Sequence, residues 1–125
     1  MADRLSTISN PNGTLRFIET AANATRNASI LGSSYIIKYV KLDNSLNTTE
    51  AVYLKIWLDG TPPTVGTTTP DMIFKAPAGG VVEYLIPDGI QNNSNAVIKA
   101  AVVTTGGTGG TTNPTGTVSY VIIGQ

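Results

Sequence analysis

The 125 residues carry eight Lys plus Arg against eight Asp plus Glu, a formal charge of +0 at pH 7, and only 13% of them are charged. A chain so balanced lacks the cation excess that displaces counterions from phosphates, which argues against nucleic acid as a partner. With neither Cys nor His, disulfide frameworks, thiolate nucleophiles, Cys/His zinc sites and Ser-His or Cys-His catalysis are excluded.

The length suits one compact domain with a single core. Apolar residues make up 41% of the chain and alternate in order, which sets it apart from disordered sequences. The polar role falls to Thr, Asn, Ser and 13 Gly, a composition that favours strands and turns over helix. No apolar run approaches the roughly 20 residues of a membrane-spanning helix, and Met1 to Asn10 lacks the features of a signal peptide. The expectation is a soluble protein made in the cytoplasm, with no membrane partner.

In chain order, Met1 to Gly13 reads as an extended N-terminal arm, with Arg4, Leu5 and Ile8 as candidate contact residues, because such arms often become ordered on a partner. The β domain then runs from 14 to 125. Thr14 to Glu19 is a strand with Leu15 and Phe17 on one side. Glu19 to Ala28 could make a helical turn, which Asn23, Thr25 and Asn27 weaken. Ser34 to Lys41 is apolar on both faces and reads as a central strand. Ala51 to Leu58 places Val52, Leu54, Ile56 and Leu58 toward the core and Tyr53, Lys55 and Trp57 on the opposite face.

Asp59-Gly60 opens a turn-rich stretch to Pro70. Asp71 to Lys75 and Val81 to Ile86 are short strands joined by a tight reversal at Pro77-Ala78-Gly79-Gly80, and Pro87-Asp88-Gly89 forms another turn. Ala96 to Thr105 is a strand, Gly106 to Pro114 a flexible loop, and Gly116 to Ile123 the last strand, with Val118, Tyr120 and Ile122 on one face. Short strands between Gly/Pro turns predict an all-β fold: a single antiparallel β-sandwich, jelly-roll or Ig-like, of about seven to eight strands.

The search for chemistry is mostly negative. Gly106 to Thr112 has the glycines of a phosphate loop but no following Gly-Lys-Ser/Thr. Asp59 and Asp88 each precede Gly, where the side chain caps its own turn. Asp43, Asp59, Asp71 and Asp88 show no EF-hand spacing, and among eight acids paired carboxylates are cheap to find, so a small hydrolase would be revived only by activity lost on mutating a specific acid such as Glu83 or Glu50. No enzyme, metal or cofactor is expected. The candidate interface is instead the face bearing Tyr53, Lys55 and Trp57, since large aromatics outside a core often mark contact surfaces. The competing reading is that a second layer, such as the arm, covers them.

The order Asn23-Ala-Thr25, Ser33 to Asp43, Ala51 to Pro70, Phe74 to Gly80 and Leu85 to Ile90 resembles a group of small virion structural proteins of tailed bacteriophages. The resemblance spans about residues 20 to 123 and departs at Gln91 to Asn95. It implies an antiparallel sandwich on a phage particle, most often as a capsid decoration or cement protein on the capsid exterior. The implied partners are the major capsid protein and further copies of the chain, with a trimer favoured. The alternative is a fibre- or tail-associated domain that contacts host glycans through Trp57, Tyr53 and the Thr-rich loops.

Overall fold

A computed structural model describes residues 3–10, 13–30, 36–58, 62–91 and 98–124, with the backbone alone described for 3–10, 13, 14 and 27–29. The strands are β1 (Asp3–Asn10), β2 (Gly13–Glu19), β3 (Asn27–Ile30), β4 (Ile36–Asp43), β5 (Val52–Trp57), β6 (Met72–Ala76), β7 (Val81–Gln91), β8 (Ile98–Val103) and β9 (Ser119–Gly124). They form a five-stranded sheet, β1-β2-β9-β4-β7, and a four-stranded sheet, β3-β8-β5-β6, with every pair antiparallel. All connections cross between the sheets except β1–β2 and β5–β6, as in Greek-key sandwiches. The all-β sandwich expected from the alternation is the fold found. The described strands exceed the expected count through β1 and the four-residue β3.

The N-terminal segment, expected as an arm separate from a domain starting at residue 14, instead supplies β1, which pairs with β2 as the edge strand of the larger sheet, and β2 itself starts at Gly13. The Asp59-Gly60 turn, the start of the expected strand at Ser34, and residues 92–97 lie outside the described residues.

The core lies between the two inner faces. Phe17, Val40, Leu42, Tyr120 and Ile122 come from one sheet, and Val52, Leu54, Ile56, Ile98, Ala100 and Val102 from the other. Phe17 and Tyr120 bring their rings to 6.1 Å between centroids. Each of the large aliphatic side chains contributes roughly 1.5–3 kcal/mol by leaving water.

β4 is apolar on both faces of a strict alternation because it contains a bulge. Its pairing with β9 steps from Ile37↔Gly124 to Tyr39↔Ile123, so two residues of β4 oppose one of β9. The extra residue reverses the parity, and Ile37, Val40 and Leu42 all end up fully buried. Opposite the bulge, β7 makes a longer excursion, pairing Leu85 with Tyr39 and then Ile90 with Ile37. Pro87-Asp88-Gly89 is thus an irregularity inside β7 and not a turn that ends a strand. Lys38 Nζ donates to the Pro87 carbonyl oxygen at 2.9 Å.

Where β4 leaves its sheet, side-chain amides replace ladder bonds. Buried Asn44 donates from Nδ2 to the carbonyls of Pro77 (2.9 Å) and Glu50 (3.0 Å). The Gly80 N–H donates to the Pro77 carbonyl at 2.9 Å while Gly79 has φ +70°, the geometry of a type II turn with glycine at its third position. The Gly79 N–H in turn donates to the Asn47 carbonyl at 2.9 Å. The tight reversal read from the sequence is present, and it carries the chain from the smaller sheet to the larger.

Candidate contact surfaces

The face of β5 opposite the core is not free. Trp57 is 1% exposed and Lys55 is fully buried, while Tyr53 is half-buried. Trp57 pairs in register with Lys99, Lys55 with Ala101 and Tyr53 with Val103, and two loops lie over them. From the first, the Thr68 carbonyl accepts from Trp57 Nε1 at 3.1 Å. From the second, Gly109 and Thr108 present carbonyl oxygens to Lys55 Nζ at 2.7 and 3.4 Å. Trp57 and Lys55, expected from the sequence as contact residues, are therefore not on the surface. The second layer is made by these Thr- and Gly-rich loops and not by the arm.

The covering is possible because the loops can approach closely. Gly106 sits so near the Tyr53 ring that an added Cβ would lie 3.0 Å from Cε1, and at Gly66 one would lie 2.6 Å from Thr111 Cγ2. Lys75 Nζ lies 5.8 Å from the centroid of the Tyr53 ring, a cation–π geometry. Burial without a carboxylate among its hydrogen-bond partners pushes the Lys55 ammonium below its usual pKa.

Of the arm residues, Arg4 and Leu5 pair in register with Ile18 and Phe17. The side chains of Arg4, Leu5 and Ile8 lie outside the described set.

The exposed apolar surface is found elsewhere. Among the described residues the exposed large hydrophobics are Leu46 (76%), Leu85 (63%), Val81, Tyr84 and Ile73; Ile73, paired with Lys55, faces out of the smaller sheet, and Leu85 and Val81, paired with Tyr39 and Asp43, face out of the larger. β6 and β7 are the edge strands of their sheets, and Phe74 and Tyr84 bridge them with ring centroids 4.9 Å apart. Leu46 belongs to the β4–β5 loop, which is bonded to the β6–β7 turn through Asn44 and Asn47. The sequence held a signal for the flank along β7: Val81-Val82 and Tyr84-Leu85-Ile86 are apolar at both parities, which a strand with one solvated face does not show.

At one end of the sandwich, residues 21–23 and 113–118 line an open groove of about 410 Å³ with no charged side chain. Asn23, Asn113, Thr115 and Thr117 give it amide and hydroxyl groups. Its wall is fixed by Glu50, which accepts from the Thr115 N–H at 2.9 Å and from the Thr115 hydroxyl at 2.9 Å. Those bonds, the Thr115 N–H foremost, hold the Glu50 carboxyl below its usual pKa. Among the described residues no cluster of acids has the arrangement to hold a metal ion.

Comparison with known proteins gives no match to a family model, to a curated protein or to a solved structure.

Proposed function

We propose that this chain is a bacteriophage virion structural protein of the capsid decoration, or cement, type. It is made in the host cytoplasm and binds the exterior of the major capsid protein shell, which it stabilises. The observation that carries the reading is the apolar flank along edge strand β7, with Val81, Tyr84, Leu85 and the neighbouring Leu46 left in solvent. Contiguous apolar surface rimmed by polar residues marks an interaction site. Cementing is then burial of this flank across shell subunits, with no chemical step.

Two features support the reading. A chain of zero net charge lets identical neighbours sit side by side without strong repulsion. The edge strand β1 offers an unpaired ladder to a strand of the shell protein. The order of sequence motifs, which resembles that of small phage virion proteins, points the same way.

The test is to add the purified chain to undecorated phage shells and measure copies bound and the temperature at which shells rupture. Saturable binding that raises the rupture temperature and varies little with salt is expected, and Leu46→Lys with Val81→Lys should weaken it while leaving the domain folded. Deleting residues 1–13 should leave a folded domain that no longer binds. Full occupancy by the truncated chain would reject the arm as anchor, and no binding by the intact chain would reject the function.

The uncharged groove favours a second reading, a fibre- or tail-associated domain that contacts glycans. It moves the sugar contacts from Trp57, which is buried, to Asn23, Asn113 and Thr117, whose amides and hydroxyl can bond sugar hydroxyls. Glycan-array binding lost in Asn113→Ala would support it.

A further inference from the structure

The two outer faces of the sandwich are unequal. That of the four-stranded sheet is roofed by the chain's own loops, as the Lys55 and Trp57 bonds show. On the five-stranded sheet, by contrast, the outward residues form rows that remain half-buried to exposed. One row reads Leu85, Tyr39, Ile123, Arg16 across β7, β4, β9 and β2, and the next Glu83, Lys41, Val121, Ile18. An antiparallel sheet with one face on the core normally turns polar residues outward, but here Ile18, Tyr39, Leu85, Val121 and Ile123 face out.

We infer that this face is where a second copy of the chain docks, sheet against sheet, about a two-fold axis running along β9. Charge selects that occupant. Among the residues whose side chains are described, the face carries Arg16 and Lys41 against Asp43 and Glu83, which balance. Its outermost described charges differ in sign, Arg16 on β2 and Glu83 on β7. An axis along the central strand β9 lays β2 of one copy over β4 of the other and leaves Val121 and Ile123 against their own counterparts, the isologous pattern of a two-fold. Arg16 then lands on Tyr39, whose hydroxyl is bonded to Glu83.

The area of the face fits this placement. The sheet face, five strands at about 4.8 Å spacing by roughly six residues at about 3.3 Å, measures on the order of 24 Å by 20 Å. Covering it on both copies removes about 1,000 Å² from water, the size at which specific interfaces begin. Such a contact closes at two, and differs from the trimer that the phage resemblance implies. It stands whether or not the chain decorates a shell.

Sedimentation equilibrium of the full chain over a concentration series tests this. A monomer–dimer equilibrium is expected. Val121→Lys sets like charges against each other at the axis and should weaken dimerisation at least about tenfold with thermal unfolding still cooperative. Arg16→Glu and Glu83→Arg should each weaken it, and the two together should restore it. A chain that stays monomeric at every concentration, or forms trimers, overturns the proposal, as does a dimer indifferent to Val121→Lys. If Val121→Lys fails to fold, the charge exchange decides: a double variant no better than either single overturns the two-fold.

Discussion

Lys55 Nζ donates to the carbonyl oxygen of Gly109 at 2.7 Å from a fully buried position, so a cation inside the protein fastens the Gly-rich loop that roofs the smaller sheet. Burial depresses its pKa from 10.5. The unfolded chain therefore holds this proton more tightly than the folded one, and the cost of burying the charge disappears as pH rises through the lowered value toward 10.5. Relative to Lys55→Met, the native protein should gain stability across that alkaline interval, measured as the difference in urea midpoints. A difference independent of pH would mean the ammonium is solvated in the folded state. The Met variant should also free the loop, seen as faster amide exchange at residues 106–112.

Trp57, the single tryptophan of the chain, is buried with its indole N–H bonded to the Thr68 carbonyl. Its emission should be blue-shifted and poorly quenched by acrylamide, then shift red on unfolding. Trp57→Ala leaves a large cavity and should cost about 3–5 kcal/mol, a substantial part of the 5–15 kcal/mol typical of a domain. Strong quenching in the native state would return Trp57 to the surface.

Why the sequence misplaced this residue is physical. Alternation tells which strand residues share a face, and it correctly set Tyr53, Lys55 and Trp57 opposite Val52, Leu54 and Ile56. It cannot tell what covers the second face, because that depends on loops whose path is set by long-range bonds such as Lys55 to Gly109. The same limit applies to Ile37 and Val40. A one-residue bulge brings them to one face, and the bulge is fixed by partners on β7 and β9 that no local pattern names. Strands, turns and fold class were legible because period-two patterning and Gly/Pro chemistry are local. The apolar flank was legible in part, through the broken alternation of Tyr84-Leu85-Ile86.

Glu50 ties the β4–β5 loop to the groove wall through Thr115, and its carboxyl is held below 4.5, first by the Thr115 N–H. A depressed carboxyl stabilises the fold above its unfolded pKa, and that stability is lost as pH falls through the folded value. Glu50→Gln should flatten the acid limb of the stability profile. Part of the slope should remain, because Asp43 is also held low, first by the Ser45 hydroxyl. Adding Asp43→Asn should flatten it further. An acid limb unchanged in the double variant would place the responsible carboxyls elsewhere.

Gly89 and Gly107 share a positive φ, +75° and +71°, in opposite surroundings. A Cβ on Gly89 would run into Ile36 Cγ2 and lie 3.3 Å from the Ile37 carbonyl oxygen, whereas one on Gly107 would meet nothing within 4 Å. Gly107→Ala should therefore cost only the conformational strain, about 1 kcal/mol. Gly89→Ala should add the displacement of β4 at its bulge, a further 1–3 kcal/mol or so, and lower Tm by on the order of 5–10 °C. The gap between the two variants measures how tightly the excursion in β7 is packed against β4. Equal losses would show that β7 yields there and that the bulge does not fix its register.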